Sequence, residues 1–275
     1  MTAIGELMSE ASASAPRRFD VLTITWNNLE GLKRTWDSVS SQDFDNWRWL
    51  VVDGGSTDGT VEWLTSLTDE RVDWQSGPDG GIYDAMNKGI DRSTGDIVVF
   101  LNAADTFSTS QVLGIVDQNQ RDHQWQWAYG VMRYIDESGA VEGIHFTPKF
   151  SMNDLRLGLR FVGHQSAFFT HHMIEKLGHY RPQFGYAADQ EYMLRAAEIS
   201  APTAIPHMLA DFLLGGVSKD VAPDYFIRSS RQMRKDHDVL VQGNDAIDAV
   251  ITTGLAVSAR VRHFAAKSWR SIARK

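Results

Sequence analysis

Short apolar runs alternate with stretches of helical spacing over the first part of the chain. The runs FDVLTITW, WRWLVVD, RVDWQ and DIVVFLN are rich in β-branched and aromatic residues, which predicts buried strands over 19–26, 47–53, 71–75 and 96–102. Helical spacing of apolar residues predicts helices over 29–40, near 81–91 and from about 109. The alternation indicates an α/β fold with a mostly parallel sheet and crossover helices on both faces.

The pattern becomes less regular after residue 135. Residues 136–165 look rich in loops, whereas 165–170 resembles a strand and 188–199 a helix. A further helix is predicted over 223–240, with basic side chains on one side, namely Arg228, Arg231, Arg234 and Lys235. Trp125 and Trp127 could form a stacking platform for a ligand, but their alternation in a strand is more typical of core residues.

Composition narrows the class of protein. The 275 residues are 43% apolar and 23% charged, enough for one sizeable core with an appendage. A net charge of −8 argues against nucleic acid as the main partner. The absence of cysteine excludes disulfides, thiolate zinc sites and a cysteine nucleophile. No apolar run approaches the roughly 20 residues of a membrane span, and we expect a cytoplasmic protein with a flexible segment over 1–18.

Polar residues follow three of the predicted strands at the points where they end. Asn27 and Asn28 follow the first strand, Asp53 ends the second, and residues 102–105 follow the fourth. Open parallel sheets bind ligands beyond the carboxyl ends of their strands. We therefore expect the functional site at this edge. The turn after the first strand reads TWNNLEG and lacks the glycine pattern G-x-G-x-x-G, which argues against a dinucleotide-dependent enzyme.

Four segments, taken in order, resemble the family 2 inverting glycosyltransferases, which have the GT-A fold. They are SQDFDNWRWLVVDGGSTDGT (41–60), DGGIYDAMNKGIDRSTGDIVVFLNAADTF (79–107), GHQSAFF (163–169) and ADQEYMLR (188–195). The resemblance is strongest to bacterial enzymes that build capsule, O-antigen and colanic-acid-like polysaccharides. It implies transfer of a sugar from a nucleoside-diphosphate sugar to a glycan or lipid-linked acceptor, with inversion. A nucleotidyltransferase would need a glycine-rich activating loop, which is absent.

The resemblance assigns a donor-binding set. Asp53 is expected to contact the nucleotide base, and Gly54 would let the backbone approach the nucleotide. Asp84 and Lys88 share a helix face with Asn87 after a glycine turn, where a helix N-terminus favours phosphate. The remaining donor-site residues implied are Thr25, Asn27, Asn102 and Ala103. The alternative for Asp53 is an ordinary turn aspartate, and the alternative for Asp84 and Lys88 is a solvated helix face.

The segment NAAD (102–105) occupies the place of the family's metal motif. Ala104 stands where the first of two adjacent acidic residues is usual, and Asp105 is retained. Magnesium-type ions are often held by one or two carboxylates together with substrate phosphates. The resemblance therefore implies that Asp105 binds Mn²⁺ or Mg²⁺. Ala104 also supports an alternative, a catalytically inactive relative that binds nucleotide sugars or glycans.

The resemblance also assigns an acceptor site. Asp189 is the expected base that accepts the proton of the acceptor hydroxyl, with Glu191 as the second choice. His164 and Ser218 are expected near donor or acceptor. The predicted transferase domain covers 19–220, with a donor half over 19–135 and an acceptor half over 136–220.

The remaining residues, 221–275, are predicted to form C-terminal helices. The tail 257–275 carries six basic residues and no acidic one, and its apolar residues gather on one side of a helix. Such a helix is typical of a contact with an anionic membrane. A helix that caps the domain and exposes a basic face is the alternative. We expect peripheral association with the inner face of the cytoplasmic membrane.

Overall fold

A computed structural model describes residues 17–215, 222 and 224–273. Its first part alternates strands with helices as the sequence predicts. The strands are β1 (Phe19–Thr25), β2 (Trp47–Asp53), β3 (Val72–Ser76) and β4 (Ile97–Phe100). The helices between them are α1 (Leu29–Ser40), α2 (Thr60–Ser66) and α3 (Ile82–Arg92).

The second part contains more regular structure than the sequence indicates. Its strands are β5 (Thr106–Phe107), β6 (Trp127–Ile135), β7 (Val141–His145), β8 (Ala167–Thr170) and β9 (Thr203–Leu213). Its helices are α4 (Val112–His123), α5 (Met152–Arg156), α6 (His171–Leu177) and α7 (Ala188–Ile199). Segment 136–165, expected to be rich in loops, therefore contains an edge strand and a short helix. Segment 165–170 begins as a 3₁₀ turn over His164–Ser166 and becomes a strand at Ala167.

One mixed sheet runs through the described part of the chain. Its strand order is β3-β2-β1-β4-β8-β6-β9-β5, and β7 pairs with β6 beside β8. The pairs among β1 to β4 are parallel, whereas β8 is antiparallel to β4 and to β6. The predicted α/β fold with a central sheet flanked by helices is confirmed. The expected donor and acceptor halves share this sheet, so their division remains a prediction.

The core lies on both faces of the sheet, which explains why the first strands are continuous apolar runs. All seven residues of β1 are buried. Val21 packs on one face with Trp49, and Leu22 packs on the other with Phe100. Trp125 and Trp127 are buried, so the interpretation of both residues as core is correct.

Two helices complete the described chain, α8 (Tyr225–Asp236) and α9 (Asp245–Ala273). They pack together through ion pairs. Arg234 is buried and binds the buried carboxylate of Asp248 at 2.7 Å, and Arg231 binds Asp245 at 2.6 Å. The basic side chains predicted on one side of α8 therefore pair largely with acidic residues of α9.

Candidate active site

The carboxyl ends of β1, β2 and β3 lie side by side. The register pairs Thr25 with Asp53, and Asp53 with Ser76. Residues 102–105 follow β4, which is the other neighbour of β1. The structure thus brings together the polar residues that the sequence places at the strand ends.

Asp53 is buried and organises the loop that follows it. Its carboxylate accepts hydrogen bonds from the backbone N–H groups of Gly55 (3.1 Å) and Ser56 (3.0 Å). The hydroxyl of Ser76 donates to it at 2.5 Å, and the hydroxyl of Ser56 donates to its other oxygen. The carboxylate fixes the 54–56 loop at the sheet edge, so its contribution to a nucleotide site includes the shape of this loop.

Gly54 allows two side chains to approach the backbone closely. A Cβ atom at this position would lie 2.7 Å from a carboxylate oxygen of Asp79 and 3.3 Å from the indole of Trp26. Asn27 has a φ of 47° and accepts a hydrogen bond from the backbone N–H of Thr57 at 2.8 Å. The indole of Trp26 is 69% exposed beside this loop.

Sequence reasoning missed Trp26 and Asp79 as residues of this edge. Trp26 had been interpreted as the last residue of a buried strand, but β1 ends at Thr25. The signal that could have identified Trp26 is its position between Thr25 and Asn27, both of which were assigned to the donor site.

The predicted face of α3 divides into two sets of contacts. Asp84 accepts a hydrogen bond from the Gly80 N–H at 2.8 Å and pairs with Lys88 at 3.0 Å, and these contacts lower its pKa, the Gly80 bond most. Lys88 also donates to the carbonyl oxygen of Pro78 at 2.9 Å. Asn87 instead binds the backbone of Tyr180 through both of its side-chain polar atoms. Asp84 and Lys88 therefore line the 78–81 turn, whereas Asn87 joins α3 to the segment that follows α6.

Asp105 is a buried carboxylate between the two halves. Burial raises the pKa of Asp105 to about 7. Hydrogen bonds from the Leu213 N–H and the Gln165 side chain lower this pKa, but by less than burial raises it. Among the described residues, no basic side chain forms an ion pair with it. A buried carboxylate without a cation is costly in its charged form. A bound cation would offset that cost.

Two buried side-chain oxygens at the ends of β1 and β4 lack hydrogen-bond partners among the described residues. They are Thr25 Oγ1 and Asn102 Oδ1. The Ala103 N–H donates a hydrogen bond to the Ile24 carbonyl oxygen. No group of three acidic or histidine side chains is arranged to hold a metal ion in the part of the chain that the structure describes. The residues present fit a cation held by the Asp105 carboxylate together with phosphate oxygens.

Asp189 lies in the first turn of α7, half-buried. Burial raises its pKa to about 6, whereas hydrogen bonds from the backbone and side chain of Gln190 act in the opposite direction. Its backbone N–H bonds to the hydroxyl of Tyr83, a residue of α3. A carboxylate with this pKa is largely ionised at neutral pH and can accept a proton.

The other acceptor-site candidates have different surroundings. Glu191 is fully buried and accepts ion pairs from Arg195 (2.9 Å), Arg181 (3.1 Å) and His237 (3.1 Å). These contacts give Glu191 a structural role and oppose its choice as a base. His164 is buried, bonds to the Tyr180 hydroxyl at 2.8 Å and stacks on a phenylalanine ring. Burial lowers its pKa to about 4, so it is neutral and structural. Ser218 lies outside the described residues.

The 164–166 turn contacts Asp105 directly and packs against tyrosines on the side of Asp189. Gln165 bonds to Asp105, and its neighbour His164 bonds to Tyr180. The Tyr180 ring lies 5.6 Å from the ring of Tyr83, which in turn contacts Asp189. Sequence reasoning missed Gln165, because the role of an amide in this turn depends on a residue 60 positions away.

Comparison with known proteins identifies the class to which this site belongs. The sequence profile of Glycosyl transferase family 2 matches residues 20–175. An uncharacterized glycosyltransferase of Mycobacterium tuberculosis strain H37Rv is 36% identical over 228 residues, which is 82% of this chain and 85% of that protein. The chain therefore belongs to glycosyl transferase family 2 and is a glycosyltransferase.

More distant relatives agree with this assignment. A PGL/p-HBAD biosynthesis glycosyltransferase of the same strain is 26% identical over 76% of this chain and 82% of its own length. Staphylococcus aureus TarS in complex with UDP-GlcNAc has the same fold, with a TM-score of 0.65 and 15% identity over 86% of this chain and 70% of that chain. A Pyrobaculum calidifontis mannosyltransferase in complex with GDP-Man and Mn²⁺ has a TM-score of 0.60 at 17% identity, covering 96% and 80%. Both structures support the GT-A fold.

No helix among the described residues combines the length and the apolar character that a membrane crossing needs.

Proposed function

We propose that this glycosyltransferase moves a sugar from a nucleoside-diphosphate sugar to a hydroxyl of a glycan or lipid-linked acceptor, with inversion, in the synthesis of a bacterial surface polysaccharide. One observation carries the proposal. Two carboxylates, Asp105 and Asp189, have pKa values raised by burial to about 7 and about 6, and Gln165 of the 164–166 turn bonds to the first of them. Carboxylates perturbed in this way are typical of functional sites.

The donor would lie along the ends of β1 and β2. The nucleotide base fits beside the exposed Trp26 and the loop that Asp53 fixes, where Gly54 leaves room for the backbone to approach. The diphosphate would lie towards Asp105 and the turn before α3. The complexes of TarS with UDP-GlcNAc and of the mannosyltransferase with GDP-Man support a nucleoside-diphosphate sugar as donor.

The reaction needs a base and a stabilised leaving group. Asp189, ionised above about pH 6, would accept the proton of the acceptor hydroxyl as that oxygen attacks the anomeric carbon. The bond to the diphosphate breaks on the opposite face, which inverts the configuration. Asp105, with the unpartnered Asn102 oxygen nearby, would hold Mn²⁺ or Mg²⁺, which when bound stabilises negative charge on the leaving diphosphate.

We further propose that α9 attaches the enzyme to an anionic membrane surface at the inner face of the cytoplasmic membrane. The helix buries Asp248, Thr252 and Ala256 on one side. Large apolar residues are exposed along it at spacings of three, seven, four and three residues, namely Ile247, Val250, Val257, Val261 and Phe264. Arg262 belongs to the same part of the helix, Arg260 pairs with the Asp224 carboxylate at 2.9 Å, and four further basic residues follow in the sequence. An apolar stripe flanked by cations suits a surface of anionic lipids.

Thermal unfolding with UDP, GDP, dTDP and their sugars, with and without Mn²⁺, tests the donor site. A nucleotide at 100 times its Kd stabilises the folded state by about 2.7 kcal/mol. We expect one base to raise the Tm in a Mn²⁺-dependent way. Asp105→Asn should remove the Mn²⁺ dependence, and Asp37→Asn, which changes an exposed carboxylate on α1, should leave it intact.

The alternative of an inactive relative rests on Ala104 in the metal motif, and transfer assays separate it from an active enzyme. Asp189→Asn should bind the donor as the wild type does and lose transfer. Donor binding without transfer by the wild type, across glycan and lipid-linked acceptors, would favour the inactive relative. The absence of any nucleotide-induced Tm change would contradict the donor proposal.

A further inference from the structure

We propose that Tyr186 forms a pyranose-binding subsite that holds the sugar of the acceptor against Asp189. The inference rests on the proposed function, because it assigns a ligand class to the acceptor side of that site. Among the described side chains, only three aromatic residues are more than about a third exposed, namely Trp26, Tyr186 and Phe264.

The three exposed rings lie in different parts of the fold. Trp26 follows β1 at the donor edge, and Phe264 belongs to the proposed membrane face of α9. Tyr186, which is 41% exposed, precedes α7 and lies three residues before Asp189. An exposed aromatic ring does not contribute the stabilising free energy that burial of its apolar surface would give. A ring left exposed three residues before a half-buried carboxylate of raised pKa is therefore a candidate for ligand contact.

The backbone around Tyr186 is fixed by one phenol from α8. The hydroxyl of Tyr225 donates to the carbonyl oxygen of Phe184 at 3.3 Å and accepts from the N–H of Tyr186 at 3.1 Å. Gly185, between those residues, has a φ of 54°, and a Cβ atom there would lie 2.6 Å from the same hydroxyl. Only glycine combines that conformation with that approach. The segment is thus held in the conformation that directs Tyr186 outward.

The neighbouring aromatic rings are largely shielded from solvent, so Tyr186 is the ring that a ligand can reach. Tyr225 contacts Tyr186 at 6.3 Å between ring centroids and Phe226 at 5.3 Å. Tyr83, mostly buried, lies close to Asp189, Tyr225 and Tyr186. Trp125 and Trp127 are core residues, so neither can serve as a sugar platform.

This arrangement suits a pyranose. One face of a pyranose ring carries C–H groups that pack against an aromatic ring, and its edge carries hydroxyl groups. A Tyr is rigid and amphipathic, and it offers contact area with little conformational entropy to lose. A sugar stacked on Tyr186 could direct an edge hydroxyl to Asp189, which would position the nucleophile of the proposed transfer.

Saturation-transfer NMR with octyl β-glycosides tests the subsite in the presence of UDP and Mn²⁺. The probes are the glucoside, galactoside, N-acetylglucosaminide and rhamnoside. We expect at least one to bind the wild type through its ring C–H protons. Tyr186→Phe should bind as the wild type does, and Tyr186→Ala should bind about tenfold more weakly, as expected for the loss of an aromatic contact.

Two controls separate this inference from the proposed function. Met208→Ala changes an exposed apolar residue on β9 and should leave glycoside binding unchanged. The Tm increase with UDP should be the same for the wild type and both Tyr186 variants. Equal glycoside binding by Tyr186→Ala, or no glycoside binding by a wild type that binds UDP, would overturn the subsite. Failure to bind any nucleotide would instead overturn the donor proposal.

Discussion

Asp105 and Asp189 are the residues at which the proposed activity conflicts with stability. Each is a carboxyl group whose pKa burial raises, and each therefore costs free energy when it ionises in the folded protein. Glu191, two residues after Asp189, has a lowered pKa because its hydrogen bonds and ion pairs outweigh burial. The two carboxylates on α7 differ in this respect because successive positions of a helix point in different directions.

Replacement of Asp189 by asparagine should raise stability at neutral pH. A carboxyl group with a folded-state pKa of about 6, against an ordinary value of 3.8, binds its proton more tightly in the folded state. The folded protein therefore gains stability as the pH falls, and above pH 6 it carries a penalty. Two pKa units are worth about 3 kcal/mol, and partial exposure reduces this to about 1–2 kcal/mol.

Thermal unfolding of the wild type and Asp189→Asn at pH 8 and at pH 4.5 measures this effect. The Tm advantage of the variant should be largest at pH 8 and should shrink towards pH 4.5. An advantage that does not depend on pH would show that the Asp189 charge is not destabilising. In parallel, kcat/KM of the wild type should fall as the pH drops through about 6, because the base becomes protonated.

Ala104 is a second residue with a measurable cost. Its φ is 85°, a conformation that costs an L-residue about 1 kcal/mol or more and costs glycine little. We expect Ala104→Gly to raise the free energy of unfolding by up to about 1 kcal/mol, measured by denaturant titration. Ala259→Gly, inside α9, should lower it by a similar amount. A destabilised Ala104→Gly variant would contradict the strain at this position.

At the scale of elements, the sequence predicts the helices and strands whose apolar spacing lies within one continuous segment. The bounds of α1, β2 and α7 agree with the prediction to the residue, because their apolar spacing and flanking polar residues lie within one segment. Strand β7 was missed because Val141 and Ile144 are exposed and its pairing is with β6. Likewise the pairing of β9 with β6 depends on residues 75 positions apart, such as Ala128 and Thr203.

The contacts of α8 depend on the fold in the same way. His237, at its C-terminal end, had no assignable role in the sequence. Its ring nitrogens lie 3.1 Å from Glu191 and 3.2 Å from Glu198, so it joins α8 to α7. The hydrogen bond to Glu191 is the largest cause of the rise in its pKa above 6.5.

This contact predicts a pH dependence of stability. Because the pKa of His237 is higher in the folded state, its stabilisation is complete below about pH 6.5 and is lost as the pH rises through the folded-state pKa. The lowered pKa of Glu191 acts only below about pH 4.5, outside this window. Between pH 6 and 9, the wild type should lose more unfolding free energy than His237→Gln.

The matched control for that measurement is His207→Gln, which changes an exposed histidine on β9. Its pH dependence should follow that of the wild type. If the unfolding free energies of the wild type and His237→Gln depend on pH in the same way, the proposed charge interaction between α8 and α7 is wrong.

At the scale of the whole molecule, charge is divided between the body and the tail. The chain carries a net charge of −8, whereas residues 257–275 contain six basic and no acidic side chains. The sequence predicted the amphipathic tail, but the structure extends the exposed apolar stripe back to Ile247, because α9 begins at Asp245 and packs by its opposite side. The stripe therefore begins ten residues before the predicted tail.

Vesicle sedimentation tests whether this stripe binds lipid. The wild type should sediment with phosphatidylglycerol vesicles, less with phosphatidylcholine vesicles, and less at high salt, since each basic residue near an anionic surface contributes about 1 kcal/mol. Replacement of Val250, Val257 and Val261 by aspartate should abolish sedimentation without lowering the Tm, because all three side chains are exposed. Thr253→Ser, at another exposed position of α9, should have no effect.

Sedimentation velocity then distinguishes lipid from a second copy of the chain as the occupant of the stripe. The same residues recur at spacings of three, four and seven, which are also the spacings of a helix pair. If the aspartate variant loses a dimer and retains vesicle binding, the stripe is a self-association surface and the membrane proposal is wrong. If it remains a monomer like the wild type and loses vesicle binding, the exposed valines are best explained by the lipid surface on which a lipid-linked acceptor would be presented.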